Sequence, residues 1–140
     1  MIILAVDFGD ARTGLACCDR SELLASPVGV ISETDFDLCI QKTAQAATAH
    51  QAEQIVVGYP KNMNGTIGER AEKCALFAEK LEELTGIKTV LWDERCTTVS
   101  AHRYLNQTNT RGKKRKAVVD AVAATIILES YLAFRKNTAI

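Results

Sequence analysis

The order of its apolar runs constrains the fold of this chain more than any other feature. Three β-type runs come first, at residues 2–8, 13–19 and 27–32, and only short links join them. Strands joined in this way pair as antiparallel hairpins. After them, helical patterns alternate with single apolar runs, an order typical of parallel β-α-β crossovers. The sequence therefore predicts a mixed sheet that begins with a three-stranded meander.

The later elements follow from capping residues and apolar spacing. Thr34 or Asp35 is expected to cap the first helix, and Gly86 to end the second. The last helix is apolar almost all round, which predicts that most of its surface is buried. Together these patterns predict an α/β fold with a mixed five-stranded sheet and helices on both faces. The remaining predicted strands are 54–59 and 87–92, and the predicted helices are 34–50, 67–85, 98–107 and 117–134.

Length and composition limit the class of protein. The 140 residues correspond to a single domain, 1–140, and the 47% hydrophobic and 24% charged residues exclude a disordered chain or a coiled coil. No apolar run approaches the about 18–20 residues of a membrane span. The first residues carry no basic segment of the kind that opens a secretory signal. Five cysteines without a Cys-x-x-Cys pair indicate reduced core residues, so we expect a cytoplasmic protein away from membranes.

Acidic side chains interrupt the apolar pattern at three places. Asp7 lies near the end of the first strand, Asp93 and Glu94 follow 87–92 directly, and Asp120 lies in the first turns of the last predicted helix. A carboxylate removed from water needs compensation, and a divalent cation is the strongest available. Ligands of open α/β sheets bind at the carboxyl ends of strands. If the first and fifth strands are neighbours, one or two Mg²⁺ or Mn²⁺ ions can bridge Asp7, Glu94 and Asp120.

Each acid also has an explanation that involves no metal. Asp7 can begin a turn by accepting backbone hydrogen bonds. Asp120, close to the predicted start of its helix, can interact with the helix dipole. Asp93 and Glu94 can pair with Arg95 or with the basic residues that follow it along the chain.

Two segments are candidates for contacts with phosphate groups. In the loop after 54–59, Asn64 and Gly65 favour a tight turn, Thr66 can cap the next helix, and Lys61 adds a cation. An ordinary strand-to-helix turn explains the same residues equally well.

The second segment is a basic cluster in a chain whose net charge is zero. Residues 111–116 carry five positive charges in six positions, immediately before the helix of Asp120. Such a run is usually a solvated loop. Next to the predicted acids, a flexible cationic arm would hold a nucleic-acid backbone. Its charged members are Arg111, Lys113, Lys114, Arg115 and Lys116.

The same residues form motifs that occur in one order along nearly the whole chain. They are Val6-Asp7-Phe8-Gly9 with Arg12-Thr13-Gly14, Ile55-Val56-Val57-Gly58-Tyr59-Pro60, Asn64-Gly65-Thr66, Asp93-Glu94-Arg95-x-Thr97-Thr98, and Asp120-Ala121-x-Ala123-Ala124. In this the chain resembles the YqgF family, RuvC-like proteins described as Holliday-junction resolvases and as pre-16S rRNA nucleases.

The resemblance implies a ribonuclease H-like fold and metal-dependent hydrolysis of phosphodiesters in maturation of the 5′ end of 16S rRNA. It implies Asp7, Glu94 and Asp120 as catalytic acids holding two Mg²⁺ or Mn²⁺ ions. RuvC-type resolvases carry their second acid after the fourth strand, where this chain has none, and in YqgF-like chains it is displaced to the fifth. Asp93 stays an alternative ligand, because neighbouring strand residues face opposite ways. The nucleic-acid backbone would be held by Lys61, Asn64, Gly65, Thr66, Arg95, Thr97, Arg111 and the residues 113–116.

Several functions remain open at the level of sequence. The expected partner is structured RNA, with precursor ribosomal particles, whereas the alternative substrate is a four-way DNA junction. A nucleic-acid-binding ribosome-assembly factor without catalysis is a second alternative. The Asp7-Phe8-Gly9 opening also occurs in nucleotide-hydrolysing lobes, but those proteins clamp nucleotide between two lobes and this chain has the length of one.

Overall fold

A computed structural model arranges the chain as a mixed sheet covered by helices on both faces. The structure describes residues 1–59, 68–93 and 112–138, and in the last of these ranges it describes the side chains of residues 122–136. The strands are β1 (Ile3–Asp7), β2 (Arg12–Cys18), β3 (Ala25–Ser32), β4 (Gln54–Tyr59) and β5 (Lys88–Asp93), and the helices are α1 (Phe36–Ala49), α2 (Glu69–Thr85) and α3 (Gly112–Thr138).

The five strands lie in the order β3-β2-β1-β4-β5. The first three pair antiparallel, and β4 pairs parallel with both β1 and β5. The predicted meander and parallel crossovers are therefore confirmed. The condition stated for a shared metal site, that the first and fifth strands are neighbours, is not met, because β4 lies between them. Ile55, Val56 and Val57 are fully buried, so β4 takes an interior position, and the partly exposed β5 becomes an edge strand.

The core consists of two apolar layers, one on each face of the sheet. Leu4 and Val6 pack in the layer of α1 and α2, whereas Ile3 and Ala5 pack in the layer of α3. This alternation is the two-residue period of a strand. It buries β1 completely from Ile3 to Val6, so Asp7 is the first residue of that strand with exposed surface.

Local capping signals fix the bounds of α1 and α2. Asp35 caps α1, where its Oδ1 accepts a hydrogen bond of 2.9 Å from the Leu38 amide. Gly86 ends α2 in the left-handed conformation with φ 70°. Both agree with the sequence prediction. The N-cap of α2 is Gly68, however, so the prediction of Thr66 as its cap is wrong; glycine also serves well at this position.

Helix α3 begins earlier than the sequence predicts. It starts at Gly112 rather than residue 117, so the backbone of residues 113–116 is helical and the expected flexible cationic arm is wrong. Lys and Arg are good helix formers, which explains why the helix extends through them. Asp120 is then more than two turns inside α3, beyond the reach of the helix dipole. The predicted helix 98–107 lies outside the described residues. Within the described part of the chain, no helix has the length and hydropathy required to cross a membrane.

Glu22 ties the β2–β3 hairpin to the carboxyl-terminal part of α3. Its Oε1 accepts a hydrogen bond of 2.7 Å from Arg135 Nε, and its Oε2 accepts one of 3.0 Å from the Met1 amino group. The hydrogen bond from Arg135 is the main cause that lowers the pKa of Glu22 below its ordinary value of 4.5. This carboxylate therefore contributes to stability only when ionised.

Replacing Glu22 tests that contribution through its pH dependence. A pKa lowered by folding adds stability above the unfolded pKa, and this stability is lost as pH falls through the folded pKa. We expect Glu22→Gln to lower the free energy of unfolding at pH 7 by about 1 kcal/mol, and the difference from wild type to disappear in acid. Urea denaturation at both pH values measures it. Glu79→Gln, an exposed acid on α2, is the control. A difference that persists unchanged in acid contradicts the assignment.

Candidate functional site

Asp7 ends β1 at the carboxyl edge of the parallel part of the sheet. Its side chain is partly buried, and the alternation along β1 puts it on the face of Ile3 and Ala5, which α3 covers. The strand-end position predicted for this acid is therefore confirmed. An ionisable group stands where the fully buried strand leaves the core.

The register identifies what lies level with Asp7 across the sheet. Val6 pairs with Val57 of β4, and the next residue of β4, Gly58, pairs with Trp92 of β5. Trp92 packs in the α3 layer. Asp7 and Trp92 thus share one face, and Gly58 places no side chain between them. Two strand spacings separate them, roughly 9.5 Å.

Asp93 lies on the other face of β5. It follows Trp92 directly and pairs with Tyr59, which packs against the layer of α1 and α2. Successive strand residues point to opposite faces. Asp93 is therefore separated from the face that carries Asp7, a fact that the sequence left open.

The direction of α3 follows from its carboxyl-terminal contacts. Tyr131 donates a hydrogen bond of 3.1 Å to Gln54, the first residue of β4, and Arg135 reaches Glu22 in the hairpin after β2. Both partners lie at the amino end of β1, so the earlier turns of α3 run toward the opposite edge, that of Asp7. From residue 131 back to residue 120 the helix spans about 16 Å. This is close to the length of β1, about 13 Å.

Most of the other predicted site residues are outside the part of the chain that the structure describes. Of the predicted metal ligands, the structure describes the side chains of Asp7 and of the alternative ligand Asp93, and within the described side chains no group of three potential ligands forms a metal site. For Asp120 and for residues 113–116 the structure gives the helical backbone. The residues outside the description are Lys61, Asn64, Gly65, Thr66, Glu94, Arg95, Thr97 and Arg111.

Three charged residues that the sequence does not single out surround the turn that follows Asp7. Arg70 Nη2 donates a hydrogen bond of 2.6 Å to the carbonyl oxygen of Phe8, and Arg70 Nη1 lies 3.3 Å from Asp10 Oδ2. Lys73 Nζ lies 2.9 Å from Asp10 Oδ1. The hydrogen bond from Lys73 is the main cause that lowers the pKa of Asp10. Two cations three residues apart on a predicted helix were the available signal, but the sequence does not reveal their partner.

The same turn is fixed from within by Gly9 and Thr13. A Cβ atom at Gly9 would collide with the carbonyl oxygen of Arg12, so only glycine fits there. The Gly9 amide donates a hydrogen bond of 3.4 Å to Oγ1 of the fully buried Thr13. These two residues therefore restrict the path of the backbone beyond Asp7 from within the turn.

This sheet order, with an acid ending the central strand and a long helix over it, defines the ribonuclease H-like fold of the RuvC-like resolvases. The chain is similar to RuvC of Thermus thermophilus, solved in complex with a Holliday junction substrate, with a TM-score of 0.65 and 11% identity. The match covers 99% of this chain and 98% of that one. At such low identity it establishes the fold.

Residues 1–134 match the sequence model of RuvX, described as a Holliday junction resolvase, and the chain belongs to this family. The resemblance noted in the sequence is thereby confirmed. Relatives named "Putative pre-16S rRNA nuclease" include one from Carboxydothermus hydrogenoformans, 41% identical over 137 residues, covering 98% of this chain and 99% of the relative. Another, from Caldanaerobacter subterraneus subsp. tengcongensis, is 42% identical over 140 residues, covering 99% and 100%.

Proposed function

We propose that this protein is a metal-dependent nuclease that hydrolyses phosphodiester bonds of structured RNA in the maturation of the 5′ end of pre-16S rRNA. The observation that carries the proposal is the position of Asp7. It ends the central strand of a ribonuclease H-like sheet, on the face that α3 covers. Relatives at about 40% identity that carry the pre-16S rRNA nuclease name support the substrate. This role implies a cytoplasmic protein that meets precursor ribosomal particles.

Asp7, Glu94 and Asp120 are the proposed ligands of Mg²⁺ or Mn²⁺. Their carboxylates are hard oxygen donors, the chemistry that these ions prefer. Asp93 is disfavoured because it lies on the face of β5 opposite that of Asp7, and this favours Glu94. The bound metal would supply an activated water and charge neutralisation at the phosphodiester.

The helical repeat supports Asp120 as the third acid. Ala124, four residues later, is fully buried in the layer that also holds Ile3 and Ala5 of β1. Residues four apart lie on one face of a helix. Asp7 itself is held between buried neighbours, since Val6 and Phe8 are both in the core.

The basic start of α3 is the proposed contact for the RNA backbone. The first turns of α1 and α2 include the acids Asp37 and Glu69, whose negative charges interact favourably with the helix dipole. Residues 113–116 at the start of α3 are instead all cations, which oppose the dipole and repel one another. Bound phosphates would relieve that repulsion. Lys61, Asn64, Gly65, Thr66, Arg95, Thr97 and Arg111 are proposed to add further backbone contacts.

Single-turnover cleavage of a labelled pre-16S 5′ RNA in Mg²⁺ tests the acids. We expect Asp7→Asn and Glu94→Gln each to lower the rate at least about 100-fold, because each removes a ligand charge. RNA affinity should change little. Asp93→Asn is the matched control and should stay within about threefold of wild type. Wild-type rates in Asp7→Asn, or a loss in Asp93→Asn equal to that in Glu94→Gln, contradict the assignment.

Salt dependence of RNA binding tests the basic start of α3. Changing residues 113–116 to Gln should flatten the plot of log affinity against log salt by about 0.7–0.9 per lost phosphate contact. Filter binding between about 50 and 200 mM salt measures the slope. Lys80→Gln on α2 is the control for a lost positive charge elsewhere. An unchanged slope would show that these cations do not contact phosphate.

A four-way DNA junction is the second candidate substrate, favoured by the description of the RuvX family and by the RuvC-like fold. We expect the RNA precursor to be cleaved at a higher kcat/KM than a mobile junction of the same length. Faster cleavage of the junction reverses the assignment. Tight binding of the RNA without any Mg²⁺-dependent cleavage indicates an assembly factor instead. Cleavage that is lost on adding EDTA indicates the nuclease.

A further inference from the structure

We propose that Arg70 is a positioning residue that holds Asp7 in its metal-binding orientation through the backbone of the β1–β2 turn. Asp10 and Lys73 assist it, and the three residues are called the α2 clamp below. The inference rests on the proposed function, because it takes Asp7 as a metal ligand. It adds that α2, which lies on the other face of the sheet, sets the affinity for the metal.

The main contact of the clamp is made directly beside Asp7. Ladder pairing between β1 and β2 ends at Asp7 and Gly14. The next carbonyl group along the chain is that of Phe8, and it accepts the 2.6 Å hydrogen bond from Arg70 Nη2. Arg70 therefore fixes the Phe8–Gly9 peptide, the second peptide after Asp7, just beyond the end of the ladder.

A second contact holds the turn two residues further on. The carboxylate of Asp10 lies within ion-pair distance of both Arg70, at 3.3 Å, and Lys73, at 2.9 Å. The Lys73 ammonium group also lies 5.8 Å from the ring centroid of Phe8. The turn is thus attached to the first turns of α2 at two points, at residue 8 and at residue 10.

The exposure of the three side chains indicates that the clamp positions the turn rather than stabilises the fold. The side chains of Arg70 and Lys73 are each 46% exposed, and that of Asp10 is 67% exposed. Ion pairs this exposed contribute little to stability. The core around β1 is already closed without them, since Ile3 to Val6 are fully buried. What the clamp restrains is the path of the backbone beyond Asp7. A catalytic group displaced by about 1 Å can lower a rate about 100-fold.

Mn²⁺ binding to the full-length chain without RNA, followed by electron paramagnetic resonance, is the decisive measurement. We expect Arg70→Met to weaken Mn²⁺ binding and to lower kcat by about 10- to 100-fold, as the loss of a group that orients a metal ligand does. KM for RNA should stay within about threefold. The melting temperature should fall by no more than about 4 °C. Arg70→Lys should recover part of the loss, because a lysine can still donate to the Phe8 carbonyl.

Two further variants keep the test decisive. Lys80→Met removes one positive charge from α2 about 15 Å further along the helix, and it should bind Mn²⁺ and cleave RNA as wild type does. Asp10→Asn breaks the second contact while leaving the Arg70–Phe8 hydrogen bond. It should weaken Mn²⁺ binding less than Arg70→Met does, and it provides the test if Arg70→Met does not fold.

Three outcomes overturn the inference. If Arg70→Met binds Mn²⁺ as wild type does while Asp7→Asn binds it poorly, Asp7 is a metal ligand but the α2 clamp does not affect metal binding. A rise in KM alone makes Arg70 a phosphate contact. Equal Mn²⁺ binding by wild type and Asp7→Asn shows that Asp7 is no ligand, and the proposed function then fails together with the inference.

Discussion

The burial of β1 on both faces is the constraint on which the rest of the structure depends. Four successive residues, Ile3 to Val6, have no exposed surface, and they alternate between two apolar layers. A strand buried in this way must have hydrogen-bonded neighbours on both edges and helices on both faces. β2 and β4 occupy the edges, α1 and α2 cover one face, and α3 covers the other. A charged side chain on β1 can reach solvent only where the strand ends, and Asp7 is the residue found there.

The parts of the fold that local signals determine were predictable from the sequence. The start of α1 and the end of α2 follow from Asp35 and Gly86, which satisfy the helix ends through residues nearby in the chain. The order of the strands did not follow in this way. It depends on which apolar run is buried on both faces, and periodicity does not reveal that for short runs. The start of α3 does not follow from the charge pattern, because a run of cations predicts a solvated loop, whereas lysine and arginine also favour helix and α3 extends through them.

In the candidate site, too, features set by neighbouring residues are predictable from the sequence, and features set by distant contacts are not. Asp7 was predictable because an acid at the end of an apolar strand is a local feature. The face of β5 on which Asp93 lies follows instead from the observed face of Trp92, which its packing on α3 establishes. The contact of Arg70 with Phe8 joins residues 62 positions apart and leaves no periodic trace in the chain. Sequence patterns thus predict an acid at the end of a strand better than they predict a contact between distant parts of the chain.

Helix α3 is longer than the sheet beneath it. Its 27 residues correspond to about 40 Å, whereas the 7 residues of β2 span about 23 Å. Its carboxyl-terminal part is fastened at the amino edge of β1 through Tyr131 and Arg135. The amino-terminal part of α3 must therefore extend beyond the opposite edge of the sheet. Residues 113–116 belong to this part, so one helix both covers a face of the core and extends a run of cationic residues beyond the edge at which Asp7 lies.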